Sequence, residues 1–111
     1  MPRPPVPPPR ITLQTAVVLF ALANGRRWGF EIIDATGLGA GTVYPILRRL
    51  EQSGLVSSRW EKEATAHADL RPPRRYYQVT GAGRVILATA LERFPGVAGL
   101  VARTPPATEG A

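Results

Sequence analysis

The sequence predicts a small, mainly α-helical domain carrying one β-hairpin, in the order α-α-α-β-β-α. Three observations carry that prediction. Apolar residues recur at helical spacing in three segments before residue 54 and in one after residue 80. Two stretches between them alternate with period two, as half-buried strands do. Glycines or capping residues mark most changes of period.

The first helix is expected over residues 11 to 24, ITLQTAVVLFALAN, with Leu13, Ala16, Val17, Phe20 and Ala23 on one face and Asn24-Gly25 as its stop. Val18, Leu19 and Leu22 widen the apolar surface beyond one stripe, so this helix needs two neighbours, from its own core or from a second subunit. A short second helix, GFEIIDAT at 29–36, is expected to turn Phe30 and Ile33 inward, with Ile32 as a further candidate, and Glu31 and Asp34 outward, with Gly37 breaking it. The third runs from about Ala40 to Ser53 and buries Val43, Ile46, Leu47 and Leu50. That leaves Thr42, Tyr44, Pro45, Arg48, Arg49 and Gln52 facing solvent or a ligand.

LVSSRWE from Leu55 reads as a strand with Val56 and Trp60 on one face. RRYYQVT reads as its partner, with Tyr77 and Val79 on one face. Their connection, about Lys62 to Pro73, is long for a hairpin and is expected to be mobile. Thr80 suits the cap of a last helix whose apolar positions are Ile86, Leu87, Ala90, Leu91 and Phe94. Pro95-Gly96 ends it, and Val97, Leu100 and Val101 can add a short turn. The expected organisation is a disordered Pro-rich tail at 1–10, a domain at 11–94, and a short turn with a disordered tail at 95–111. Two short helices meeting at a Gly-rich turn, followed by a hairpin, form the layout of a winged helix-turn-helix.

Composition narrows the function. The chain of 111 residues carries a net charge of +6, and of its 14 Lys and Arg residues only Lys62 is lysine. Arginine suits phosphate and base edges because its planar fork makes parallel hydrogen bonds. No cysteine is present, which excludes disulfides, thiolate zinc sites and a thiol nucleophile. His67 is the only histidine, too little for a metal site. No Ser-His-Asp set, paired carboxylates or phosphate-cradling loop stands out, so an enzyme is not expected, nor a cofactor. No stretch is apolar enough to span a membrane or act as a signal peptide, which makes a cytoplasmic protein the expectation.

From Trp28 to Phe94 the chain resembles the PadR family of transcriptional regulators. WGFEI at 28–32 is similar to the start of the family's second helix, and GTVYPILRRLEQSGLV at 41–56 to its recognition helix and first wing strand. RPPRRYYQVT at 71–80 is similar to the second wing strand, and GAGR at 81–84 to the opening of the C-terminal helix. With the first helix added, the likeness covers about residues 11–94. It implies a homodimeric DNA-binding repressor with one winged helix per subunit. It also implies loss of DNA affinity when a small molecule, often aromatic, binds. The chain departs from the pattern at Gly39, where the family usually has Ser, and at Gly81, where Pro is common. Pro95-Gly96 also shortens the helix that often supplies the dimer interface.

On this reading double-stranded DNA is the partner. Thr42 offers a hydroxyl and a methyl to bases, Tyr44 a donor to phosphate, and Pro45 stiffens the first turns. Arg48 lies one turn after Tyr44 and is the candidate for guanine, while Arg49 points about 100° away toward phosphate or glutamate. Arg71, Arg74 and Arg75 surround two prolines at the wing, one of Arg74 and Arg75 packing inward. Trp28 and Phe30 are candidates to line an effector crevice of the dimer, and Leu87, Leu91 and Phe94 to pack it. Competing readings are simpler. Arg48 and Arg49 can be a solvated face paired with Glu51 or Gln52, Trp28 a packing residue, and Trp60 a plug between wing and helices. Two further rivals are a winged-helix protein-interaction module, with the Pro-rich tail as a ligand for an aromatic groove, and a non-specific nucleoid-type DNA binder.

Overall fold

The computed structural model describes residues 11–102, so the expected tails at 1–10 and beyond Ala102 lie outside the described residues. The chain forms α1 (Leu13–Ala23), α2 (Gly29–Thr36), α3 (Ala40–Gln52), β1 (Val56–Trp60), α4 (Glu63–Ala68), β2 (Arg75–Val79) and α5 (Gly81–Arg93), then a 3-10 turn, Val97–Leu100. It is mainly helical with a two-stranded antiparallel hairpin, as expected, with one helix more than the sequence suggested.

α1 is the centre of the core. Thr12 caps it by accepting the Thr15 amide at 3.1 Å. Its residues from Thr15 to Leu19, with Ala21 and Leu22, are buried. α2, α3, β2, α5 and the 3-10 turn all pack on it, so the chain's own core covers both sides of this broad apolar helix.

α2 corrects the expected inward turn of Phe30. Gly29, Ile32 and Ala35 are its buried residues, Ile33 is half-buried against the core, and Phe30 is left 74% exposed. α3 follows expectation, with Val43, Ile46, Leu47 and Leu50 buried. Gly37 after α2 and Gly54 after α3 sit at φ 72° and 75°, the left-handed region that ends a helix and that glycine adopts without strain.

The hairpin register sets Val56 opposite Val79, Ser58 opposite Tyr77 and Trp60 opposite Arg75. Trp28 bridges Tyr76, and the Arg27 carbonyl accepts the Tyr77 amide at 2.7 Å. The segment before α2 thus adds a short third rung to the wing. Trp60 is 63% exposed and plugs nothing; it stands at the end of β1, beyond the core residues Leu55 and Val56.

The connection expected to be an irregular loop contains α4. Glu63-Ala64-Thr65-Ala66-His67-Ala68 is alanine-rich with a glutamate in its first turn, so it can make a short helix without an apolar stripe. Ala66 is buried, Leu70 takes a positive φ of 56°, and the Arg71 amide returns to the Ala66 carbonyl at 3.1 Å.

Thr80 caps α5 by accepting the Gly83 amide at 3.0 Å and donates its hydroxyl to the Gly54 carbonyl at 2.7 Å. Leu87 is in the core and not on an open helix face, while Leu91 and Phe94 are half-buried against that core. Val97 and Val101 are buried, and the Ala102 amide bonds the Ala35 carbonyl at 2.8 Å.

Gly83 is where α5 touches the start of the wing. A β-carbon there would collide with the Leu55 carbonyl and meet Val79. Because the first obstacle is backbone, Gly83→Ala is expected to cost about 1–3 kcal/mol of stability in urea unfolding. An unchanged unfolding midpoint would contradict this contact.

Candidate nucleic-acid interface

The buried stripe of α3 fixes what its other side can do. Arg48 and Arg49 are exposed, and neither makes a hydrogen bond or ion pair among the described residues. Glu51, the acid expected to compete for them, is turned to the wing. It accepts from Arg75 at 3.1 and 3.3 Å and from the Ser58 hydroxyl. Tyr44 is 43% exposed, while Thr42 and Pro45 are half-buried. The Tyr44 ring lies against the backbone of Gly29, in space that any β-carbon would fill. The helix start has Gly39 at its cap and no side-chain cap; the Thr42 amide donates to the Gly39 carbonyl at 3.0 Å, which leaves the Ala40 and Gly41 amides open to an anion.

Glu61 organises the wing. Its carboxylate takes Arg71 with both oxygens, at 2.5 and 2.8 Å, the Tyr76 hydroxyl at 3.0 Å and the Arg74 amide at 3.2 Å. Asp69 adds a second acceptor for Arg71 at 3.2 Å. The structure therefore places Arg71 in an ion pair that closes the connection, not free at a tip. The bidentate bond to Arg71 holds the Glu61 carboxyl down to about 2, partly offset by desolvation and aided by Arg74 and Tyr76.

One of Arg74 and Arg75 was expected to pack inward; Arg74 is half-buried and Arg75 exposed, and both lie near aromatic rings. Arg74 lies over Trp28 at 4.2 Å. Arg75 donates to Ser58 at 2.9 Å and lies near the rings of Trp60 and Tyr77, at 5.5 and 5.9 Å. Trp28 meets Tyr76 edge-on at 5.5 Å. Such pairs hold a guanidinium in place while leaving its charge available.

Between α2, α3 and the wing lies a cleft of about 1030 Å³. Trp28, Phe30, Tyr44, Trp60 and Tyr77 line it, with Pro72 and Pro73; Glu31, Asp34, Arg74 and Arg75 supply charge. Trp28 and Phe30 thus face a cleft within one chain, where a crevice between subunits was expected. Leu87, Leu91 and Phe94 do not line it. The expected residues Tyr44, Arg74 and Arg75 come together here, joined by Arg71. Sequence reasoning missed Glu51 and Glu61 as the anchors of Arg75 and Arg71. The strand register was a usable signal for Trp60, because it sits directly opposite Arg75.

The Glu61 network has a pH signature. An ordinary glutamate in the unfolded chain ionises near 4.5, against about 2 here, so folding favours the carboxylate. Its stabilisation is complete above about pH 5 and is lost as pH falls toward 2. Urea midpoints of the wild type are expected to fall more steeply than those of Glu61→Gln across that window. Parallel profiles would show that the network does not stabilise the fold.

A sequence model of the PadR-like family of transcriptional regulators matches residues 18–89, more than half of the chain. A search of curated proteins gives no match. Among solved structures, the chain is similar to a PadR-like transcription factor from Bacteroides fragilis, at 25% identity and a TM-score of 0.58, covering 78% of this chain and 84% of that one. It is similar in fold to a PadR family transcription regulator from Clostridium difficile R20291, at 21% identity and a TM-score of 0.65, covering 80% and 94%. A PadR family transcriptional regulator from Eggerthella lenta shares 24% identity and a TM-score of 0.58, covering 78% and 79%. The matched span runs from within α1 through most of α5 and includes α3 and the whole wing. Among the described residues no helix is long and apolar enough to cross a membrane. A winged helix with an open arginine face, matched by this family over that span, is a DNA-binding transcriptional regulator, and the chain belongs to the PadR-like family.

Proposed function

We propose that the chain is a repressor that binds a palindromic operator as a homodimer and is released by a small planar aromatic effector. The observation that carries the DNA reading is the outward face of α3, where Arg48 and Arg49 stand exposed and unpaired opposite a fully buried stripe. A helix of this width fits the major groove, where an arginine fork matches the two acceptors of guanine. Arg48 takes that role. Tyr44 donates to phosphate, Thr42 contacts bases, Pro45 keeps the first turns rigid, and Arg49 meets the neighbouring strand's backbone. Arg74 and Arg75, held by Trp28 and by Glu51, grip the flanking phosphates. Arg71 shapes the wing from within.

A two-fold dimer would set two such helices about 10 base pairs apart or a multiple of that. The aromatic cleft supports the effector. It shares Tyr44, Arg74 and Arg75 with the DNA face, so a planar ligand there and a duplex would exclude each other.

Electrophoretic mobility shift on the region upstream of the chain's own gene tests the DNA reading, with salt varied. Arg48→Ala is expected to lose about 1–3 kcal/mol of specific binding. If Arg48→Ala, Arg74→Ala and Arg75→Ala combined leave binding unchanged, the assigned surface is wrong. For the effector, planar aromatic acids are expected to quench Trp28 and Trp60 fluorescence and to weaken the shifted complex together. Quenching without any change in DNA affinity would remove the regulatory role.

A further inference from the structure

A second concavity, of about 280 Å³, lies where the end of α1, both wing strands and the first turns of α5 meet. No residue of α3 lines it. Four arginines from three separate parts of the chain do: Arg26 and Arg27 after α1, Arg59 on β1 and Arg84 on α5. Strand alternation puts Arg59 and Gln78 on the wing face opposite Trp60 and Arg75, hence away from the aromatic cleft.

The charge balance of this pocket differs from that of the rest of the wing. Arg71 has Glu61 and Asp69, and Arg75 has Glu51. Among the described residues lining the concavity there is no aspartate or glutamate. Arg59 is placed by a neutral ring, while the Arg27 amide donates to the Glu31 carboxylate at 2.7 Å. The Arg26 guanidinium donates to the Ala102 carbonyl at 3.1 Å. Arg27 and Arg59 lie by the Tyr76 ring, at 5.5 and 5.3 Å. Arg84 is exposed and makes no hydrogen bond or ion pair among the described residues. Like charges gathered around one cavity repel, and a multiply charged anion reverses that repulsion. Guanidinium forks match phosphoryl oxygens, and the neutral Ser57 and Gln78 can complete the hydrogen bonds without adding negative charge.

We propose that this pocket binds a small phosphorylated ligand, a phosphate ester or diphosphate with at least two negative charges. The site stands apart from the α3 face, so it does not depend on the proposed operator reading. Its occupant would tie α1, the Arg27-Trp28 rung and α5 to the wing.

The test is isothermal titration of the full chain, without DNA, with inorganic pyrophosphate and with AMP at constant ionic strength. Saturable binding at one ligand per chain is expected for at least one of them. Arg59→Ala with Arg84→Ala should weaken it about tenfold or more, since each removes charge-assisted hydrogen bonds. Arg48→Ala with Arg49→Ala should leave it unchanged, and circular dichroism should show both variants folded. The single variant Arg84→Gln, at an exposed helix position, gives the same reading if the double variant does not fold. Absence of saturable binding overturns the proposal, as does equal weakening by the α3 variants, which marks general charge attraction. If neither probe binds while Arg59→Ala and Arg84→Ala reduce DNA affinity, the phosphates recognised are those of a duplex and the small-ligand site is refuted.

Discussion

The structure depends on the division of α3 into two faces. Val43, Leu47 and Leu50 are completely buried and Ile46 nearly so. Burying each such side chain stabilises the fold by about 1.5–3 kcal/mol, far more than any surface ion pair could offer in rotating the helix another way. The orientation of Arg48 and Arg49 is thus imposed from inside. Neither needs a partner to hold it, and neither has one among the described residues. The same constraint brings Tyr44 over Gly29 and turns Glu51 to the wing.

The wing is organised by a different force. Its hairpin has only two strands, too few to be stable alone. The rung at Trp28, the ties from Glu51 to Ser58 and Arg75, and the closure of the connection by Glu61 and Arg71 supply what a third strand would give. One consequence is that a count of basic residues overstates the charge free to meet a duplex. Arg71 is neutralised and Arg75 is shared with Glu51, while Arg48 and Arg49 are unencumbered. On α3 the two guanidinium groups opposite the buried stripe, Arg48 and Arg49, make no ion pair among the described residues.

Much of this was legible in the residue pattern. α3 was clear because its four apolar positions follow one helical stripe without interruption. The hairpin was clear because Val56 and Val79 fall on matching alternations. Phe30 was misplaced because an eight-residue helix offers two overlapping stripes, and the tertiary packing that buries Ile32 and seats Gly29 against Tyr44 leaves Phe30 outside. α4 escaped notice because six residues of alanine, threonine, glutamate and histidine carry no period. The pairing of Glu61 with Arg71, ten residues apart, is decided by the shape of the connection. The grouping of Arg26, Arg59 and Arg84 is decided by the tertiary fold.

The central claim is that the outward face of α3 reads a duplex with two-fold symmetry. Selection of bound duplexes from a random pool by the unmodified chain addresses it most directly. The account predicts a palindromic consensus whose half-sites each hold a guanine and lie about one helical turn, or a multiple of it, apart. A pool retained in proportion to phosphate charge alone, with no consensus emerging over successive rounds, would contradict it.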